Sequence, residues 1–159
     1  MCKLYLFAPT RQPRLMHQIP PHTLWIGSSG DIRDWRHLYD LGIRAVVQLA
    51  YEEAALSLPH DFVGCRFPLV DGDENTPEVL TLAITTLTHL LEQKFACLVC
   101  CQAGLSRSPA IAAAALAKLT HQPFAACMAE IAKYHHHAIH PGLRAQVQGL
   151  CEPPAAKSP

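Results

Sequence analysis

The sequence predicts an α/β fold: a central, mostly parallel sheet flanked by helices. Three observations predict it. Short apolar runs alternate along the chain with longer segments of helical period. One run, Ile43–Leu49, carries Val46 and Val47 at its centre, as a buried strand does. Another, Phe95–Cys100, leads through a short loop into the alanine-rich segment Pro109–Ala117, whose small side chains let a helix pack close to a sheet.

Each element follows in order. Lys3–Phe7 reads as a first strand, Leu15–Pro21 as irregular, and Thr23–Gly27 as a short strand. Asp31–Asp40 reads as one helix, acidic early and followed by Gly42. Strand Ile43–Leu49 precedes a short helix at Glu52–Leu58 and a strand at Phe62–Leu69. The loop Val70–Asn75 is rich in Asp and Gly. Thr76 then caps a helix with Pro77 at its first position. That helix extends to about Gln93, with Leu80, Ile84, Leu87 and Leu91 on one face. After strand Phe95–Cys100 and loop Cys101–Arg107, a helix runs to about Thr120. Pro123–Tyr134 and Leu143–Leu150 read as further helices.

The 159 residues fit a single domain over residues 1–151, with 152–159 as a flexible tail. Half the residues are hydrophobic and 16% are charged, a globular balance. Zero formal net charge gives no field for nucleic acid or an anionic membrane, so neither is expected as a partner and attraction for anions must be local. The run Leu4–Ala8 is too short for a signal peptide, and no stretch approaches the ~20 apolar residues of a membrane span. A soluble, cytoplasmic monomer is expected. Seven cysteines at irregular spacing imply reduced thiols, not a disulfide framework.

Chemistry concentrates in Val99-Cys100-Cys101-Gln102-Ala103-Gly104-Leu105-Ser106-Arg107-Ser108. A cysteine directly follows a strand, an arginine lies six positions on, and a helix begins there. Backbone amides of a tight loop entering a helix converge on one point, and the helix dipole favours negative charge there. Gly104 permits a backbone angle other residues resist. Arg107 can clamp two oxygens with its fork. The same field that holds an anion also stabilises a thiolate, which makes Cys101 a candidate nucleophile aimed at a bound anion. The Ser108 hydroxyl is close enough in sequence to donate to the sulfur. A lone cysteine after a strand is ordinarily a core thiol; the residues at defined offsets turn the reading toward chemistry.

This segment resembles the C-x5-R-[ST] signature of the cysteine-dependent protein phosphatase superfamily. Cys101–Ser108 is most similar to the signature loop of dual-specificity phosphatases. Leu24-Trp25-Ile26-Gly27, Leu41-Gly42-Ile43, Phe67-Pro68-Leu69-Val70-Asp71 and Pro141-Gly142-Leu143 fall where that family has corresponding elements. The resemblance implies a phosphatase-like fold with an anion loop between strand and helix. It implies hydrolysis of phosphotyrosine and phosphoserine/threonine through a phosphocysteine. Cys101 attacks phosphorus. Gln102, Ala103, Gly104, Leu105, Ser106 and Arg107 bind the phosphoryl oxygens. Ser108 stabilises the leaving thiolate, and an aspartate about thirty residues upstream serves as acid and then base. Asp71 best matches that position, with Asp73 and Glu74 as rivals in what is otherwise an ordinary polar turn. No metal or organic cofactor is implied.

The family places a histidine before the nucleophile, thought to orient the loop; here that position is Cys100. Cys100, Cys97 or Cys65 could act as a resolving thiol, although small apolar strand residues are the simpler account of all three. Cys97-x-x-Cys100-Cys101 lacks the second ligand pair of a zinc site, and the run His135-His136-His137 reads as a solvated turn. Two rival functions remain. A phosphoprotein-binding module would keep the cradle without turnover. A rhodanese-like sulfurtransferase would not need Asp71. No lysine lies within Gln102–Ser106, which disfavours an inositol lipid. Trp25, Trp35 and Tyr39 read as core or helix-face residues.

Overall fold

A computed structural model describes residues 16–152. The strand expected at Lys3–Phe7 and most of the tail lie outside them. The elements run β1 (His17–Gln18), β2 (Leu24–Ser28), α1 (Ser29–Ile32), α2 (Trp35–Asp40), β3 (Ala45–Ala50), β4 (Val63–Leu69), α3 (Pro77–Glu92), β5 (Cys97–Cys101), α4 (Arg107–Thr120), α5 (Phe124–Ala132) and α6 (Pro141–Cys151). One sheet holds all five strands in the order β1-β2-β5-β3-β4. The two-residue edge strand β1 is antiparallel to β2. The other pairings are parallel. The fold is thus the mixed, helix-flanked α/β sheet that the sequence predicts.

The central strands pack on both faces, so alternate side chains enter two different clusters. Cys97, Val99 and Cys101 of β5 join the larger cluster with the inner faces of α3 to α6. Leu98 and Cys100 point the other way, into a smaller cluster with Trp25, Ile32, Leu38, Ile43, Val46 and Phe62. Helix α4 is buried from Arg107 through Ala117. Alanine makes this possible: it keeps helix propensity high and lets α4 lie close against β5 with helices on its outer sides.

Three local expectations are corrected. Asp31–Asp40 is not one helix. The chain breaks at Asp34, whose carboxylate accepts from the His37 amide and starts α2 afresh; a residue that competes for backbone donors favours a cap over a helix interior. Glu52–Leu58 forms turn and irregular backbone instead of a helix. It is held by contacts from outside the segment: the Gln48 side-chain amide donates to the Ala54 carbonyl at 2.8 Å, and Glu52 turns toward Arg107. Leu15–Pro21, read as irregular, contains β1.

Candidate active site

The site lies at the carboxyl ends of the parallel strands, where ligands of such sheets bind. Cys101 is the last residue of β5, pairs in register with Ser28, and is 2% exposed. Residues 102–106 then turn sharply into α4. Gly104 has φ +75°. A Cβ there would lie 2.7 Å from the Gly27 carbonyl oxygen, so both angle and space require glycine.

The loop's carbonyls are tied from outside. The Gln102 carbonyl accepts from the Ser29 amide at 3.4 Å and from its hydroxyl at 3.3 Å. The Gly104 carbonyl contacts His135 Nε2 at 2.7 Å. The Leu105 carbonyl accepts from the Ala138 amide at 2.8 Å. In a planar trans peptide the N–H points opposite to the C=O. Each tie therefore turns the following amide, of Ala103, Leu105 or Ser106, away from the tethering element. Among the described residues, none of the amides from Gln102 through Ser106 donates to a backbone carbonyl. A run of unspent amides at a helix start is an anion-binding arrangement.

Arg107 opens α4 and is 3% exposed. Its Nη1 donates to Glu52 Oε2 at 2.6 Å and to the Leu69 carbonyl at 2.9 Å. Its Nη2 donates to Glu52 Oε1. Its buried Nε has no partner among the described residues. Burial works against the guanidinium's charge. The bond to Glu52, with the nearby Cys101 and Asp71, outweighs it and raises the Arg107 pKa. Glu52 is lowered in turn, chiefly by that side-chain bond, although burial opposes it.

Asp71 follows β4 and comes to the same place. The Ser106 hydroxyl donates to Asp71 Oδ1 at 2.5 Å and accepts from the His140 amide at 3.0 Å. The Asp71 loop is knitted by buried Asn75, which accepts from the Val70 amide at 2.8 Å and donates to the Val70 and Gly72 carbonyls. Asp73 instead lies against Gly142 of α6. Ser108 is fully buried, and its hydroxyl donates to the Gly27 carbonyl at 3.4 Å instead of to sulfur.

The structure thus brings Cys101, Gln102–Ser106, Arg107 and Asp71 together. Sequence reasoning missed three supporting side chains. Glu52 reads as part of a short helix. Asn75 read as a loop residue. His135 read as part of a solvated turn, yet it is 3% exposed, and its Nδ1 lies 3.0 Å from His17 Nδ1. Desolvation lowers its pKa, the Gly104 bond opposes this, and nearby histidines add to the lowering. Cys100 is buried on the opposite sheet face from Cys101, with its thiol 3.6 Å from the Val47 carbonyl. Burial, ahead of the neighbouring Cys101, raises its pKa, and burial pushes Cys97 up to about 12. No group of three or more potential metal-ligating side chains occurs among the described residues, and none of their helices is long and apolar enough to cross a membrane.

Comparison with known structures agrees with this fold. A human structure, DUSP28, aligns with TM-score 0.77 at 20% identity, covering 87% of this chain and 94% of that one. A mouse putative dual specificity phosphatase, solved with zinc tungstate, aligns with TM-score 0.78 at 20% identity over 91% of each chain. The human tyrosine phosphatase-like serine/threonine/tyrosine-interacting protein aligns with TM-score 0.72 at 19% identity, covering 86% and 95%. No curated protein matches the sequence. The family model described as "Polymorphic toxin system, DSP-PTPase phosphatase" matches residues 25–121. With that match spanning more than half of its 159 residues, the chain belongs to this family of dual-specificity-type phosphatases.

Proposed function

We propose that the protein hydrolyses phosphomonoesters, on phosphotyrosine and phosphoserine/threonine, through a phosphocysteine intermediate. The observation that carries this reading is the run of amides from Gln102 through Ser106 with no backbone acceptor, set between the end of β5 at Cys101 and the buried, partly unspent guanidinium of Arg107. Such a cradle binds a phosphoryl group with its phosphorus facing the sulfur. The Cys101 thiolate attacks, and the P–O bond to the leaving group breaks as the S–P bond forms. Asp71 gives its proton to the departing oxygen. It then takes a proton from water as that water attacks phosphorus, and the S–P bond breaks to return the thiolate. Ser108, whose hydroxyl bond to Gly27 is long at 3.4 Å, donates to that leaving thiolate. The loop amides and Arg107 hold the equatorial oxygens through both steps, where charge stabilisation is the largest contribution. Asp71 is supported over Asp73 by its bond to Ser106 within the loop. The same reading takes residues 1–151 as one domain with 152–159 as a tail.

A second reading, a phosphate-binding module with little turnover, is favoured by one observation. Both terminal nitrogens of Arg107 are engaged by Glu52, and a phosphoryl group must share or displace that carboxylate. Hydrolysis of an aryl phosphate by the parent, Cys101→Ser and Asp71→Asn separates the two. Turnover abolished by Cys101→Ser and reduced by Asp71→Asn supports the enzyme. Tungstate binding with no turnover in the parent supports the module. A Cys101→Ser protein that keeps its rate overturns the phosphocysteine route.

A further inference from the structure

The phosphatase reading, on which this inference rests, gives His135 no part. Three observations do. His135 comes from the segment between α5 and α6, is 3% exposed, and contacts the Gly104 carbonyl at 2.7 Å. Gly104 sits at φ +75°, in the middle of the run of unspent amides. On its other side, His135 Nδ1 meets His17 Nδ1 of β1 at 3.0 Å, across 118 residues of sequence.

We propose that His135 is a positioning residue for the anion loop: its Nε2–H holds the Gly104 carbonyl outward, which keeps the Leu105 amide aimed at the bound phosphoryl group, and His17 fixes the tautomer that does so.

The proton placement follows from the partners. A carbonyl only accepts, so Nε2 of His135 carries the hydrogen. In the neutral ring Nδ1 is then a lone pair, and the proton between the two rings belongs to His17 Nδ1. With His17 donating, the alternative His135 tautomer would set two N–H groups head to head at one end. At the other end it would set two lone pairs head to head. The pair therefore permits one neutral arrangement.

Gly104 needs such a tie more than its neighbours do. Glycine visits both signs of φ with little preference, so nothing in its own backbone stops the Gly104–Leu105 peptide from turning over. A turned peptide would present a carbonyl oxygen to the phosphoryl group where an N–H is required. A buried carbonyl also demands a donor, and the described residues supply it only from His135. The order of dependence runs His17, His135, Gly104 carbonyl, Leu105 amide.

A buried histidine with both nitrogens satisfied is also a good purely structural residue, so the test must move something that packing alone would not. The full-length protein is compared with His135→Phe, which has similar volume and no donor, with His135→Gln, which restores an N–H donor, and with His17→Phe. Tungstate affinity, aryl phosphate kinetics and folded fraction are measured for each. Ring nitrogen NMR of the parent reads the tautomer directly. The inference expects the parent His135 proton on Nε2. For folded His135→Phe it expects tungstate affinity and kcat/KM to fall by about tenfold, less than the ~10²–10³ of deleting an oxyanion donor outright, and chiefly in kcat because the charge is greatest in the transition state. His135→Gln recovers most of the loss, and His17→Phe shows a smaller loss than His135→Phe.

A folded His135→Phe with parental affinity and kinetics overturns the inference and leaves the phosphatase reading standing. So does a His135→Gln protein no better than His135→Phe. If His135→Phe does not fold, a parent proton on Nδ1 overturns it. A parent that neither hydrolyses aryl phosphate nor binds tungstate removes the phosphatase reading and the inference together.

Discussion

The Ser106 hydroxyl donates to Asp71 Oδ1 at 2.5 Å, joining the loop after β4 to the loop after β5. The same oxygen accepts from the His140 amide at 3.0 Å, so the entrance to α6 joins them too. A hydroxyl that donates and accepts at once has one rotor setting. Ser106 therefore sets how far Asp71 stands from the cradle, and it does so from within the signature loop itself.

Asp71→Asn is expected to lower kcat by ~10²–10⁴, the usual range for losing a general acid. The loss is expected to be greater with phenyl phosphate than with nitrophenyl phosphate, because the better leaving group needs its proton less. Ser106→Ala loosens Asp71 without removing it, so it should cost less than Asp71→Asn and show the same leaving-group bias. Steady-state kinetics on the two esters decide. An Asp71→Asn protein with undiminished kcat on phenyl phosphate assigns the acid elsewhere.

The Glu52–Arg107 pair gives a pH dependence of stability with a definite sign. Arg107 holds Glu52 below its ordinary range, so the folded protein binds the proton less readily than the unfolded chain. The pair's contribution is fully present above the ordinary glutamate value of about 4.3 and is lost as pH falls through the lowered folded value. Because the Glu52 side chain is 41% exposed, the contribution is at most about 1 kcal/mol. Urea unfolding of the parent and Glu52→Gln should differ by a constant amount from about pH 7 to about pH 5 and converge as the pH falls further below the ordinary glutamate value. A difference that grows on acidification contradicts the pairing.

Much of this was legible in the sequence, and what was not has a common cause. Helix α3 follows from the spacing of Leu80, Ile84, Leu87 and Leu91, and β5 from its apolar run, because both periods are local. The cradle was legible because Cys101, Gly104 and Arg107 lie within one loop and one helix start. Glu52, His135 and His17 act across 55, 31 and 118 residues. No local pattern carries such distances. Glu52–Leu58 even has helical composition, and contacts with Gln48, Arg66 and Arg107 override it. The one usable signal for His135 was its place in a histidine run shortly before Pro141-Gly142, where burial and solvation read alike.

Gly104 and Gly42 form a matched pair for separating strain from collision. Both have positive φ, +75° and +77°. A Cβ at Gly104 meets the Gly27 backbone at 2.7 Å, whereas one at Gly42 meets nothing within 4 Å. Gly42→Ala should cost only the left-handed penalty of about 1–2 kcal/mol. Gly104→Ala should add an overpacking cost of about 1–3 kcal/mol and weaken tungstate binding. Denaturant unfolding of both variants checks the difference; equal costs would mean that β2 yields freely to the loop.

The sheet geometry also decides how Cys101 fares under oxidation. Cys100 is adjacent in sequence but points into the opposite cluster, and thiols whose Cβ vectors diverge cannot be bridged without moving the strand. Cys97 shares the Cys101 face four residues back, about 13 Å along a strand. Cys65 is two strands away in the sheet order, about 9.6 Å at the nearest. Both separations exceed the ~7 Å limit between α-carbons of a disulfide. Burial also keeps Cys97 and Cys100 as thiols. None of these three therefore resolves a Cys101 sulfenic acid, and none of them stops its oxidation up the ladder to sulfinic acid. Hydrogen peroxide should inactivate the protein without forming a disulfide between Cys101 and Cys65, Cys97 or Cys100. Cys100→Ala should be inactivated at the parental rate and hydrolyse aryl phosphate within about twofold of the parent, since a thiol buried on the opposite sheet face from the nucleophile acts as a small hydrophobe. Peptide mapping under non-reducing conditions checks it, and a Cys100–Cys101 or Cys97–Cys101 crosslink would show that β5 distorts far more readily than its packing implies.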